Sequence, residues 1–277
     1  MTDKIPLAGV IGSPIAHSLS PRLHGHWLKS YGIKGYYIPM DIAQAHLDEA
    51  LRALPRMGFV GVNVTIPHKE TVLRIAHAVT DRAALIGAAN TLIFDKDGRI
   101  HADNTDGYAF LANMMQHSPG WEAKDGPAAV FGAGGAARAV ISALLDAGAP
   151  EIRLANRSRA RADGLRAEFG PRIAVQEWTQ SADMVEGAAT VVNTTSLGMV
   201  DQPPFPVSLD RLDPSAVVSD LVYVPLRTRF LELAAARGCQ TVDGLGMLLH
   251  QATPGFERWF GRRPAVDEAL RKAVLAR

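Results

Sequence analysis

Cysteine is almost missing from this chain: Cys239 is the one such residue in 277. An internal disulfide is therefore excluded, and with it the class of small secreted domains stapled by bridges. Cys239 lies in Gly238-Cys-Gln-Thr-Val ahead of a short apolar run, a place that suits a small core residue better than a nucleophile. Excess charge is missing too. Lys and Arg number 29 against 28 Asp and Glu, a formal net charge of +1, so there is neither the basic field that nucleic acid requires nor an acidic tail. No apolar run approaches a membrane span, and Met1-Thr-Asp-Lys-Ile-Pro has no apolar signal core. The nine histidines show no metal-ligand spacing, and there is no internal repeat. These absences predict a globular, cytoplasmic protein that acts on a small molecule, without nucleic acid, membrane or metal, with dimerisation left open.

What is present begins with 47% apolar residues, ample for buried cores in one large or two modest domains. The most specific stretch is Ala128-Ala-Val-Phe131, closed by Gly132-Ala133-Gly134-Gly135-Ala136-Ala137 and followed by Arg138-Ala-Val-Ile-Ser-Ala-Leu-Leu at helical spacing. It reads as strand, tight turn, helix. Gly132, Gly134 and Ala137 fit G-x-G-x-x-G/A, in which the first glycine makes the turn, the second admits a pyrophosphate and the third position lets helix pack on strand. An ordinary glycine loop is the competing reading of this segment alone. The following strand, over 151–155, runs into Asn156-Arg157-Ser158-Arg159-Ala160-Arg161, where a dinucleotide site that selects NAD would carry an acid for the ribose 2′-hydroxyl. No acid is there. Arg157 and Arg161 suit a 2′-phosphate, with Asn156 and Ser158 as neutral donors, so the cofactor expected is NADP(H); a solvated basic helix start is the alternative.

In the first half, residues 7–11 read as a buried strand that runs into Gly12-Ser-Pro-Ile-Ala-His-Ser18-Leu-Ser20-Pro21. Ser20 is expected as an N-cap with Pro21 at the first helical position, and Ser18 and Ser20 can point their hydroxyls the same way. Residues 35–40 suggest a second strand, and 43–54 a helix broken by Pro55. Gly61-Val-Asn63-Val-Thr65-Ile-Pro67-His-Lys69 then alternates an apolar face with one that presents an amide and a hydroxyl, and places Lys69 at the carboxyl end of a strand, where open α/β sheets bind ligands. A surface lysine opening a helix reads equally from the residues alone. A strand over 87–94 contains Asn90, Gly98 turns it, and Asp106 caps a helix over 108–116 or does more.

The second half supplies short strands over 173–175, 190–193, 217–220 and 241–242 with helical segments between, such as 229–237, which is the βα alternation of a doubly wound parallel sheet. Asn193-Thr194-Thr195-Ser196-Leu197-Gly198-Met199 suits either a loop beside a bound nucleotide or a plain turn, and Tyr223 either a site residue or a packed aromatic. Met247 and Gln251 are four apart and share a helix face. A helical pattern resumes after Pro254, and 265–275 makes a last helix.

Taken in order, Ser18-Leu-Ser20-Pro, Asn63-Val-Thr65-Ile-Pro-His-Lys69, Asn90-Thr91, Asn104-Thr-Asp106-Gly, Gly132-Ala-Gly-Gly-Ala, Asn156-Arg157-Ser158, Asn193-Thr-Thr-Ser-Leu-Gly-Met, Asp220-Leu-Val-Tyr223 and Gly244-Leu-Gly-Met247-Leu-Leu-His-Gln251 resemble the shikimate dehydrogenase family over nearly the whole chain. The resemblance implies NADPH-dependent reduction of 3-dehydroshikimate to shikimate, on the route to chorismate and the aromatic amino acids. It implies an α/β substrate domain over 1–106, completed by C-terminal helices over 247–277, and a Rossmann-like NADP domain over 107–246, joined across a cleft. It implies Lys69 and Asp106 as the catalytic pair, with Ser18 and Ser20 on the substrate carboxylate and Asn63, Thr65, Asn90 and Gln251 on the ring hydroxyls or the carboxylate; Tyr223 is expected on the substrate as well. On the cofactor it implies Gly132, Ala133, Gly134, Gly135, Ala136, Asn156, Arg157, Ser158 and Arg161, with Thr194 and Ser196 in the loop beside its nicotinamide, and Leu221, Gly244 and Met247. The alternatives are a quinate/shikimate dehydrogenase with looser choice of ring and cofactor, and a regulatory nucleotide-binding protein of the same fold without turnover.

Overall fold

The computed structural model describes residues 5–276. The chain divides after Thr105 and again after Leu248 into two compact units, the first built from both ends of the chain and the second from its middle. The second boundary falls inside one long helix, Gly244–Phe260, which runs straight through Pro254 rather than restarting beyond it.

The first unit holds a six-stranded sheet made of β1 (Leu7–Gly12), β2 (Tyr36–Asp41), β3 (Phe59–Val64), β4 (Ala78–Val79), β5 (Thr91–Phe94) and β6 (Ile100–Asp103), in the order β2-β1-β3-β5-β6-β4. β1 lies parallel between β2 and β3. β5 and β6 instead form an antiparallel hairpin beside β3. The turn between them is made by Asp95, whose carboxylate accepts the N–H groups of Asp97 at 2.9 Å and Arg99 at 2.8 Å, and by Gly98 at φ +77°. The sheet is therefore mixed, and β6 is a strand that apolar alternation did not announce.

Three local expectations change. Leu19, not Ser20, is the N-cap of the Ser20–Ser30 helix, because the Ser18 hydroxyl takes the Ser20 N–H at 3.3 Å and the helix starts one residue early. The helix expected over 43–54 is split into a 3-10 turn (Gln44–His46), an α-helix (Leu47–Ala53) and a further 3-10 turn (Leu54–Met57) that accommodates Pro55 in its first turn, where no N–H is needed. The last helix starts at Glu268, since the Asp267 carboxylate accepts the Leu270 N–H at 2.9 Å and caps it there.

C-terminal helices complete this unit, as the resemblance implied. Trp27 donates its indole N–H to the Ala265 carbonyl at 2.9 Å, and Trp259 donates to the Leu92 carbonyl in β5 at 3.2 Å. Phe256 and Trp259 pack with Trp27, Tyr37 and His24 in one aromatic group. The close approach of Trp259 to the sheet needs Gly61 in mid-strand: a Cβ there would lie 2.0 Å from the indole nitrogen and 2.3 Å from the Leu92 oxygen.

The second unit holds six parallel strands, β7 (Ala128–Phe131), β8 (Ile152–Ala155), β9 (Ile173–Gln176), β10 (Thr190–Asn193), β11 (Val217–Asp220) and β12 (Gln240–Val242), in the order β12-β11-β10-β7-β8-β9. This is the doubly wound dinucleotide order, with the reversal of direction between β7 and β10. The buried strands carry apolar residues on both faces, each covered by its own core cluster. No helix among the described residues is long and apolar enough to cross a membrane.

Gly61→Ala should cost the first unit about 3 kcal/mol, from overpacking and the lost indole bond. A urea titration followed by tryptophan fluorescence reads it, and an unchanged midpoint would show that the Trp259 contact is dispensable.

Candidate active site

In the first unit the polar residues singled out in the sequence gather at one end of the sheet, and strand direction explains why. β3 ends where β5 begins, because the two are antiparallel with Asn63 opposite Thr91. β6 returns to the same end, with Asp103 opposite Thr91. The carboxyl end of β1 is beside them: Thr65 N–H donates to the Ile11 carbonyl at 2.9 Å, and a Cβ on Gly12 would lie 2.5 Å from the Thr65 methyl. Thr65, Lys69, Asn90 and the segment after Asp103 thus converge, although they are far apart along the chain.

Buried amides hold this end together. Asn63 Oδ1 accepts the Tyr37 hydroxyl at 2.7 Å, and its Nδ2 donates to the Asn90 carbonyl at 3.2 Å and to the Thr91 hydroxyl oxygen at 3.3 Å. Both Asn63 amide protons are therefore used inside the sheet. Asn90 Oδ1 accepts the Thr105 N–H at 3.0 Å, the Thr105 hydroxyl at 3.1 Å and the Thr91 hydroxyl at 3.0 Å, while its Nδ2 donates to Gln251 Oε1 at 3.3 Å. The Thr105 hydroxyl also lies 2.9 Å from the Gln251 carbonyl. Lys69 is half-buried in the turn after β3, and its carbonyl is fixed by the Ala89 N–H at 2.8 Å. Its neighbour His68 is fully buried, with Nε2 donating to the Ile42 carbonyl and Nδ1 facing Gln44 Oε1, 2.7 Å each. Ser18, in the loop after β1, and Ser20, at the start of the helix that follows, are both half-buried.

Asp106 is buried as the first residue of the Asp106–His117 helix, in the second unit. Gly107 lets that helix sit against the Gly135–Asp146 helix, since a Cβ on it would lie 3.0 Å from the Ala139 carbonyl.

The glycine turn after β7 has the form an anion needs. Gly132 takes φ +114°, and a Cβ on it would strike the Thr194 hydroxyl at 2.4 Å. Gly134 and Gly135 are exposed, with no heavy atom within 4 Å of where a Cβ would stand. The helix that starts at Gly135 has no side-chain cap and no acid in its first turn, so its leading N–H groups and positive dipole end fit a pyrophosphate. Ala133 and Ala136 flank this turn, both half-buried. After β8, Asn156 turns back to the Ser158 carbonyl at 2.8 Å, and Ser158 leads the Arg159–Phe169 helix. The arginines divide: Arg159 is ion-paired with Glu177 and Asp163, whereas Arg157 and Arg161 stand exposed on the segment where a 2′-phosphate is expected. Thr194 donates to the Phe131 carbonyl at 2.7 Å, which holds the loop after β10 to the glycine turn; Ser196 is exposed in that loop. Leu221 and Met247 pack against the core of the second unit, and Tyr223, half-buried after β11, has its phenol pushed up by burial. Gly244 presses on Leu221, whose carbonyl oxygen would be 2.2 Å from an added Cβ.

Three family models match in sequence: the shikimate dehydrogenase substrate binding domain over residues 10–92, shikimate / quinate 5-dehydrogenase over 114–199 and the shikimate 5′-dehydrogenase C-terminal domain over 244–275. The shikimate dehydrogenase (NADP(+)) of Cereibacter sphaeroides is 70% identical over 273 residues, 99% of this chain and 98% of that protein. The chain belongs to the shikimate dehydrogenase family. Among solved structures, the shikimate 5-dehydrogenase of Thermus thermophilus in complex with NADP(H) and shikimate is 38% identical with a TM-score of 0.86, covering 97% of this chain and 99% of that one. A quinate dehydrogenase from Corynebacterium glutamicum in complex with NAD is 30% identical with a TM-score of 0.90, covering 98% and 99%.

Several residues that shape this family member's two sheet ends were not singled out from sequence. Tyr37 and His68 fix Asn63 and the turn of Lys69. His24 is fully buried and stacked on Tyr37, with ring centroids 3.8 Å apart, and burial pushes its imidazole down to about 3, so it is neutral. Asp103 accepts from Thr80 at 2.8 Å and from Arg82 in a two-point bond, which braces β6 just before Asn104 and Thr105. Asp220, fully buried at the end of β11, is pushed up to about 6 by desolvation, against hydrogen bonds from Thr228, Val222 and Asn193 that favour its charged form. In the sequence Asp220 appears only as the end of a strand and the first residue of the Asp220-Leu-Val-Tyr223 stretch.

The Asp220 shift has a definite sign. Folding raises the carboxyl from 3.8 to about 6, so between those values the folded chain keeps a proton that the unfolded chain has released, and stability falls as pH rises through the window. Above it the penalty is about 3 kcal/mol. Asp220→Asn should therefore melt at pH 8 no lower than the parent and lose this decline between pH 4 and 6. A melting temperature several degrees lower at pH 8 would contradict the assignment.

Proposed function

We propose that this chain catalyses the reversible, NADPH-dependent reduction of 3-dehydroshikimate to shikimate. One observation carries the reading: a sheet end lined by amides, hydroxyls and Lys69, suited to a polyhydroxylated ring, occurs in one chain with a dinucleotide sheet whose second strand ends in cations and no acid. NADPH, when bound, supplies the hydride. The glycine turn Gly132–Ala136 and the helix start hold its pyrophosphate, and Arg157 and Arg161, with Asn156 and Ser158, take its 2′-phosphate. Thr194, Ser196, Leu221, Gly244 and Met247 flank its nicotinamide side.

The protein's own work is proton supply and ring placement. A ketone that receives hydride at carbon develops negative charge on oxygen, and the Lys69 ammonium stabilises that charge and donates the proton. Solvent then reprotonates the amine. Asp106 accepts a bond from a neighbouring ring hydroxyl. The Ser18 oxygen already accepts the Ser20 N–H, so its own proton is the one presented to the substrate carboxylate, with the Ser20 hydroxyl beside it. Thr65, Asn90, Tyr223 and Gln251 pair with the remaining polar groups. Asn63, whose amide protons are committed to Asn90 and Thr91, acts on the ring chiefly by placing those two. A site built to pair particular hydroxyls rejects analogues that lack them more firmly than those that add one, so quinate is the analogue to compare. The exposed arginines after β8 favour NADP and the shikimate reading over a quinate/shikimate enzyme of relaxed cofactor choice.

Lys69→Ala should lower kcat by about a thousandfold with a much smaller change in KM, because the interaction is made mainly in the transition state. Near-normal turnover would remove Lys69 from the chemistry. Replacing Arg157 and Arg161 together by Ala should raise KM for NADPH at least about tenfold and leave that for NADH nearly unchanged. Equal use of both cofactors by the parent would dismiss the 2′-phosphate assignment.

A further inference from the structure

Asp220 ends β11 and Asn193 ends the adjacent β10, paired across the parallel ladder. Both are fully buried. Asp220 Oδ1 accepts the Asn193 amide at 2.9 Å and the Val222 N–H at 3.0 Å, and Oδ2 accepts the Thr228 hydroxyl at 2.6 Å. Among the described residues, no cation is one of its partners.

From Asn193 the bonding continues into the loop after β10. Its Oδ1 accepts the Thr195 N–H at 3.0 Å and the Thr195 hydroxyl at 2.7 Å, and its Nδ2 reaches the Leu197 carbonyl at 3.1 Å. The Leu197 N–H donates to the Thr195 hydroxyl at 3.1 Å. The loop that carries Thr194 and Ser196 is thus wound on one amide, and that amide is held by one carboxylate. The loop after β11 hangs from the same group. The Val222 bond sets the Leu221-Val222 peptide on which Gly244 packs, and Thr228 caps the Arg229–Ala236 helix by accepting the Leu231 N–H at 3.3 Å.

We propose that Asp220 is a positioning residue for the nicotinamide end of NADPH, its carboxylate setting the shape and spacing of the two loops that follow β10 and β11. The proposal rests on the reading that NADPH lies at the carboxyl ends of this sheet. A tie needed only for folding would not call for a charge: desolvation raises this carboxyl to about 6, so above that value the ionised form is held against the preference of the fold. The ionised form accepts all three bonds with charge assistance, and a neutral group in its place would have to turn the Thr228 hydroxyl around.

The test compares two probes by calorimetry on the full chain: NADPH, and adenosine 2′,5′-bisphosphate, which carries the 2′-phosphate and adenine but no nicotinamide. Asp220→Asn should weaken NADPH about tenfold, as expected for a lost charge-assisted set of bonds, while the bisphosphate stays within about twofold. Equal weakening of both probes, or of neither, overturns the proposal. If Asp220→Asn does not fold, Asn193→Ala is read by the same comparison, and failure of both variants to fold would make the cluster a folding determinant and also overturn it. A parent chain that binds neither probe would instead sink the cofactor reading on which the proposal rests.

Discussion

A single buried amide, that of Asn90, ties together the end of the first sheet. Its oxygen receives the backbone and hydroxyl of Thr105, the last residue before the chain leaves this unit, and its nitrogen reaches Gln251, just after the chain returns. Both passages of the chain are thereby registered against β5. An amide so placed has no neutral position: with partners it adds modestly to stability, and without them it costs about 1–3 kcal/mol, so each partner's place depends on the others. Asn63 and Tyr37 extend the same logic one layer deeper, through the Tyr37 hydroxyl that settles which way the Asn63 amide faces.

The two units meet their chemical tasks with different physics. The first is lined by neutral donors and acceptors around one lysine, as hydroxyl recognition requires, because each desolvated hydroxyl needs a specific partner. On the proposed reading the second holds anions by geometry: an uncapped helix start behind a turn that a Cβ on Gly132 would block, and arginines just after β8. Two buried titratable groups run against ordinary expectation. His24 stays neutral under its stacking partner Tyr37, and Asp220 ionises late; both reflect desolvation outweighing nearby polar contacts.

Much of this was legible in the residues. The strand-turn-helix at Gly132, the missing acid after β8 and the alternation through Asn63 and Thr65 are local signals, and local periodicity reads them well. The C-terminal return to the first unit came from resemblance, since nothing in the spacing of Phe256 and Trp259 says which sheet they cover. What stayed hidden was partnership. The β5–β6 hairpin reverses strand direction without altering the apolar pattern, and His24, Tyr37 and Trp259 meet only after distant elements pack. Ser20 misled because a serine before a proline fits an N-cap, while the hydroxyl two residues earlier captured its N–H. Asp220 read only as the end of a strand, because its place beside Leu-Val gives no sign that three donors converge on it.

The central claim is that the polar end of β3, β5 and β6 receives the substrate ring. A crystal structure of the chain with NADP and shikimate tests it most directly. The account predicts ring hydroxyls within hydrogen-bond distance of Asn90 and the Lys69 amine, and the carboxylate on the Ser18 and Ser20 hydroxyls. A ring bound elsewhere, with the Lys69 nitrogen out of reach of its oxygens, would contradict it.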